Sequence, residues 1–319
     1  LGGDGRIEHH FDRLRSPLFQ NITLGLSARS ASEFRDNRDL AWFSKLSPYL
    51  HLDLRREPLN RPWEHRISVR GVFLQNEARF IGTDGSTLRG SDSRSYTEVQ
   101  YRGENKSKLH RALVLPTVTR EANFLRASLE LRQAFALNDR NDEIRFRAFM
   151  GTFLWKRDDR LYNGLHAWGL TWGTQDMLYD HAYFERNARD EFTARQYQTQ
   201  QGAFKTPFLQ GGSETWIGAL NMEIDVPIPL PLALFGSVGM VPITRITPDG
   251  RSTATATYYE AGVGIIAVRD VLEVWIPLVV SDRIADEEEF LDRSFTDRIR
   301  FIFALDKLDP TRAIRNLKP

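Results

Sequence analysis

The chain has 319 residues, with 43 basic and 42 acidic side chains, no cysteine and a mean hydropathy of −0.42. Balanced charge supplies no field that would steer it to nucleic acid, and the missing cysteines exclude disulfides, zinc–thiolate sites and thiol catalysis. No uninterrupted apolar run reaches the length of a membrane helix, so the remaining classes are one large β domain or two ordinary domains.

The opening stretch LGGDGRIEHHFDRL holds neither an initiator methionine nor a secretory signal, so a piece of a longer polypeptide is expected. His9 and His10 are adjacent and would point to opposite faces of a strand, which does not make a metal pair. Alternation with period two then dominates from end to end. Ile22, Leu24, Leu26 and Ala28 share one face, opposite Thr23, Gly25 and Ser27. Leu46, Leu50, Leu52 and Leu54 oppose Tyr49, His51, Asp53 and Arg55, and Ile67, Val69, Gly71 and Phe73 oppose Arg66, Ser68 and Arg70. The stretch 85–93 (GSTLRGSDS) lacks the lysine of a phosphate-binding loop and reads as a plain loop. Leu125, Ala127, Leu129 and Leu131 oppose Arg126, Ser128, Glu130 and Arg132, after which Ile144, Phe146, Ala148 and Met150 oppose Arg145 and Arg147.

Residues 174–212 break the alternation and are rich in Tyr, Phe, Gln and Arg, so an ordered surface loop is expected there. In the stretch 221–240, NMEIDVPIPLPLALFGSVGM, alternation runs on both sides of Pro227, Pro229 and Pro231. Proline lacks the N–H that a ladder requires, so the segment predicts a hairpin, crossing a membrane twice rather than once as a helix. A second hairpin turns at Arg269–Asp270, the acidic stretch 281–297 reads as a solvated loop, and Ile299, Phe301, Phe303 and Leu305 close the series.

A strict two-residue period does not make a helical face. About thirteen such segments of roughly 9–14 residues exceed the 5–6 typical of soluble strands and suit the 9–11 of membrane strands. The expected fold is all-β: an antiparallel transmembrane β-barrel of about 12–16 strands. It would occupy 1–319 as a single domain, with a periplasmic tail at 307–319. A soluble β-sandwich also alternates, but it would bury the apolar faces and expose the charged ones. Counting strands back from the C-terminus places the gaps at 31–45 and 76–93 at the opposite end from the 174–212 loop. A barrel with its long loops on one side does not allow that. One strand is therefore expected to be misplaced, near 78–81 or 164–173, or to lie upstream of Leu1.

The charged residues expected to face the lumen are Asp53, Arg55, Arg66, Arg70, Arg126, Glu130, Arg132, Arg145, Arg147, Glu223, Asp225, Glu260 and Glu273. Their mixed sign suits a salt-bridged filling better than the single-sign ring of a selective pore. Small residues on the same faces (Gly25, Ser27, Ser237, Gly239, Gly262, Gly264) would relieve crowding or permit curvature. Trp155, Trp168, Trp172, Trp216, Tyr258, Tyr259 and Trp275 lie near segment ends, as interfacial girdles require. The acidic stretches at 83–92 and 286–292 do not follow the spacing of an EF-hand.

Several stretches together carry a resemblance: SPLFQNITLGLSARS, LSPYLHLDLRREPLNRPWEHRISVRG, FRAFMGTFLW, GAFKTPFLQ, the proline hairpin, and a closing RIRFIFALDKLDPTRAIRNL. They are similar to the C-terminal region of large envelope gluzincin-like metallopeptidases of Bacteroidota, over most of the chain. The hairpins are more loosely similar to the surface-antigen barrels of outer-membrane assembly factors. The resemblance implies an aminopeptidase-type zinc domain upstream, whose signature is HExxH with a downstream Glu. None of the seven histidines (His9, His10, His51, His65, His110, His166, His181) has that spacing, so no catalytic, cofactor-binding or metal-binding residue carries over to this chain. Zinc would belong to the upstream domain.

The expected function is that of an outer-membrane anchor, itself non-catalytic, which positions a periplasmic metallopeptidase-like domain or other envelope proteins. Its contacts would be outer-membrane lipid and envelope proteins, not nucleic acid, and its location the bacterial outer membrane. A zinc peptidase represented here only in part, a porin-like channel and a soluble β-sandwich binding module are the alternatives.

Overall fold

A computed structural model describes residues 2–11, 16–35, 39–55, 62–81, 87–107, 109–138, 142–157, 167–171, 178, 195–197, 199–247 and 250–304. The fold is all-β. Thirteen strands form one antiparallel sheet in which sequence neighbours are spatial neighbours: β1 (Gly2–Phe11), β2 (Phe19–Arg35), β3 (Asp39–Leu54), β4 (Trp63–Ile81), β5 (Thr87–Lys106), β6 (His110–Glu121), β7 (Phe124–Ala136), β8 (Glu143–Lys156), β11 (Trp216–Asp225), β12 (Leu232–Thr247), β13 (Gly250–Val268), β14 (Leu272–Val280) and β15 (Arg300–Phe303). The two-residue strands β9 (Trp168–Gly169) and β10 (Gly212–Ser213) pair with each other outside that sheet. Among the described residues no helix is long and apolar enough to cross a membrane.

The proline stretch turns as its sequence predicts: 226–231 joins β11 to β12, which pair from Gly218–Met240 to Asp225–Ala233. Pro48 and Pro116, inside strands, each sit where one of their two ladders has a gap. The β3–β4 pairing skips Ser47 and Pro48, and the β5–β6 pairing skips Leu115 and Pro116, because a proline has no N–H to donate.

The misplaced-strand problem resolves in how many main-sheet strands separate the long connections. Residues 76–81 and 87–93 of one gap are the far parts of β4 and β5, which pair without interruption from Trp63–Asn105 to Ile81–Thr87. Residues 31–35 and 39–45 of the other gap are likewise strand, with β2 and β3 paired out to Arg35–Asp39. No strand of the main sheet lies among the described residues of 164–173. The β2–β3, β4–β5, β8–β11 and β12–β13 connections therefore all leave the same end of the sheet. Periodicity missed these extensions because stretches such as QNEARFIGTDGSTLRGSDS carry few apolar residues to mark a face.

The acidic stretch also differs from expectation. Residues Asp282–Phe290 form a helix, α1, followed by a 3-10 turn at Phe295–Arg298. Ile284, Glu287 and Glu288 of α1 are buried, so this stretch is part of the packed structure and is not a solvated loop. At the last strand, β15 pairs with β14 over four residues, and Gln196 forms a parallel bridge to Phe301. Among the described residues β1 pairs with β2 alone.

Candidate functional site

The register sorts the sheet into two faces. One carries Leu24, Leu46, Phe73, Val99, Val118, Leu131, Met150, Leu220, Val238 and Ile265, all 40–64% exposed. The other carries Thr23, Lys45, Ser47, Arg126, Glu143, Arg147, Asn221, Ser237, Glu260 and Glu273, all buried. The apolar face is open and these polar positions are covered, the reverse of a soluble β-sandwich.

What covers the polar face is the connection between β8 and β11. Its residues 199–211 are ordered, but they lie against the sheet, which corrects the expected surface loop. Phe204 and Phe208 pack with Trp168, Leu170, Ile217, Val241, Tyr258 and Ile284 in one apolar cluster. Leu178, from the same connection, joins a second cluster with Phe43, Val72, Leu74, Tyr96 and Phe124. Its carbonyl accepts hydrogen bonds from Lys45 and Arg70 of β3 and β4. Glycine at position 239 makes the close approach possible, since a Cβ there would sit 2.4 Å from Leu170 and 2.8 Å from Phe204.

Side chains of the sheet and of α1 hold the backbone of this segment. Glu260 on β13 accepts the N–H groups of Lys205 (2.7 Å) and Thr206 (2.8 Å), together with the Ser237 hydroxyl (3.1 Å). Glu287 on α1 accepts those of Leu209 (2.5 Å) and Gln210 (3.0 Å). Arg147 and Asn221 donate to the carbonyls of Gln201 and Gly202, and Arg293 donates to that of Pro207. Gln201 and Ala203 take left-handed backbone angles, φ 46° and 56°, a conformation non-glycine residues keep only where their surroundings over-determine it.

At the centre of the segment is Lys205. Its Nζ bonds Glu223 at 3.0 Å and lies 4.1, 4.5 and 5.2 Å from the ring centres of Trp275, Phe235 and Tyr197. Burial alone would lower the pKa of this ammonium, but the negative charge around it, Glu223 first, outweighs it and holds the group above its ordinary value. Burial pushes the Tyr197 phenol up, and its hydroxyl donates to the Ala203 carbonyl at 2.9 Å. Glu223 has a second cation, Arg269 at 3.1 Å, and Arg269 also pairs with Asp225.

The residues expected to face a lumen can now be placed. Asp53, Arg66, Arg70, Arg126, Glu130, Arg132, Arg145, Arg147, Glu223, Asp225, Glu260 and Glu273 share the polar face. They are joined by ion pairs such as Arg66–Asp53 (2.5 Å), Arg70–Glu98 (2.9 Å) and Arg147–Glu130 (2.9 Å). Arg55 lies one residue past the end of β3, exposed, with its backbone N–H on the Leu18 carbonyl. Among the expected girdle aromatics, Trp168, Tyr258 and Trp275 are buried in the clusters under the segment and cannot contact lipid. Trp155, Trp216 and Tyr259 are exposed, and Trp172 lies outside the described residues, as does the tail 307–319. Lys205, Glu287, Asn221 and Arg293 escaped the sequence reading because they act on a non-repeating segment that no periodicity marks.

Among the described residues no group of three or more His, Asp or Glu side chains is arranged to hold a metal ion. No family model matches the chain, and no curated protein matches it.

Proposed function

We propose that this chain is a β-barrel domain of the bacterial outer membrane that anchors a soluble domain or partner of the envelope. In this reading its interior is filled by its own 199–211 segment. The observation that carries the proposal is the inverted amphipathicity of the sheet. Thirteen strands at about 4.8 Å spacing give a face roughly 60 Å across, and its large apolar side chains are open to the surroundings. Soluble proteins rarely leave apolar patches beyond a few hundred Å² exposed, whereas lipid is the natural solvent for such a face. The covered polar face, cross-linked by ion pairs and occupied by Lys205, favours an anchor over an open porin.

The resemblance to the C-terminal regions of envelope metallopeptidases supports a peptidase-like domain as the partner that the anchor positions. The proposal assigns no reaction to this chain. Extraction tests it: the protein stays in solution only with detergent and migrates faster on a gel when unheated than when boiled. A chain that is monodisperse in buffer without detergent would overturn the membrane reading. Steady single-channel conductance would favour the porin.

A further inference from the structure

On β4 to β7 the polar face ends in a row of cations that the 199–211 segment does not touch. Arg66, Arg102, Lys106, Arg111 and Arg132 have side chains 45–55% exposed. Each pairs with a carboxylate, respectively Asp53, Glu104, Glu64, Glu143 and Glu130, and these carboxylates are only 8–36% exposed. The acids lie underneath and the cations form the accessible layer.

The register sharpens the pattern. Arg66 is directly opposite Arg102, and Lys106 is directly opposite Arg111. Like charges facing each other across a ladder are destabilising, and exchanging one Arg–Glu pair along the strand would cure it. Glu64 likewise faces Glu104, so charge is sorted into rows rather than alternated. Each cation bonds its carboxylate and still leaves about half of its side chain open to solvent. A row of guanidinium and ammonium groups about 14 Å long, across four strands at about 4.8 Å each, matches the carboxylates of an extended acidic peptide. Their spacing of roughly 6.8 Å on every second residue fits it, and bidentate Arg–carboxylate bonding would supply the recognition.

We infer that this row is the docking surface for an acidic, extended polypeptide segment of the protein that the barrel anchors. The inference rests on the anchor reading in naming that partner, but the binding itself is measurable whether or not the chain enters a membrane.

The test uses the full chain, purified with or without detergent as its solubility requires, and a fluorescein-labelled hexaglutamate peptide read by anisotropy. Binding is expected, falling steeply as salt rises from about 50 to about 500 mM. Arg102→Gln with Arg111→Gln is expected to weaken it about tenfold, while Arg120→Gln, on the opposite face, leaves it unchanged. Should the double variant not fold, Lys106→Gln alone is expected to weaken binding about threefold. Equal binding by wild type and the folded variants, or no binding at low salt, overturns the inference. Displacement of the peptide by inorganic phosphate at equal concentration would show a general anion site, and it also overturns the assignment to a polypeptide.

Discussion

Lys205 and Arg102 make the same contact in two settings. Each sits on or against the polar face with a glutamate at 3.0 Å, yet the Lys205 side chain is 1% exposed and that of Arg102 is 45% exposed. Around Lys205 three aromatic rings replace water, so the ion pair is strong and its loss costly. Around Arg102 water screens the pair, which adds little to stability and leaves the guanidinium available. One face of one sheet thus carries a structural lock under β8–β14 and an accessible charged row on β4–β7. Depth, rather than residue type, separates the two roles.

The contrast can be broken at either end. The largest effect is expected for Lys205→Ala, which removes the buried cation from Glu223 and empties the aromatic cage. A loss of about 3 kcal/mol in unfolding free energy is expected, with Arg269 retaining part of the neutralisation of Glu223. A denaturant titration followed by tryptophan fluorescence would measure it, and a change below about 1 kcal/mol would make Lys205 as superficial as Arg102. Leu220→Arg addresses the opposite face. At mid-strand on β11, with 54% exposure, it should cost about 2–4 kcal/mol in a bilayer and close to nothing if that face meets water. Folding yield into vesicles compared with detergent-free buffer separates the cases.

Glu287→Gln keeps the shape but removes the charge that receives Leu209 and Gln210. A loss of about 1–2 kcal/mol is expected, read as faster amide exchange at those two positions. Arg102→Gln should change stability by less than about 1 kcal/mol; a larger loss in thermal unfolding would mean that the row is structural.

The pH response has two sides. Hydrogen bonds from the Ser294 hydroxyl and N–H hold the Asp297 carboxyl below its ordinary value, with Arg195 assisting. Its contribution is present at neutral pH and is lost as pH falls through the depressed folded-state value. Lys205 is shifted the other way. Its raised folded-state value keeps the lock fully charged below the ordinary lysine value, and the contribution disappears only in stronger alkali. Acid should therefore free the 3-10 turn at Phe295–Arg298, while the Lys205 ammonium itself stays charged in acid and in mild alkali. Amide exchange at Ser294 and Gln201, compared at about pH 3 and about pH 10, would show the order.

Much of this architecture is legible in the alternation itself. Leu46, Leu50 and Leu52 against Tyr49, His51 and Asp53 fall on opposite faces because a strand's side chains alternate whatever the strand packs against. The three prolines turn the chain because none of them can donate to a ladder. Twelve of the thirteen charged residues picked from that alternation lie on paired strands and share one face, and Arg55 lies one residue past the end of β3. The reading fails where period two is silent. It left 76–93 as a gap with 85–93 a loop, although Glu77–Ser91 and Arg79–Arg89 are paired strand positions, and it left 281–297 in solvent, although α1 packs Ile284 into the core.

The sequence by itself determined the strands, their faces and the turns, since these depend on local backbone geometry and on spacing of two. The tertiary structure decided which polar residues matter. GAFKTPF has no periodic signature, and only folding the β8–β11 connection back over the sheet brings Lys205 to Glu223, Glu260, Phe235 and Trp275. Contacts between residues far apart in the chain depend on where that connection returns, and no spacing along the sequence encodes that path.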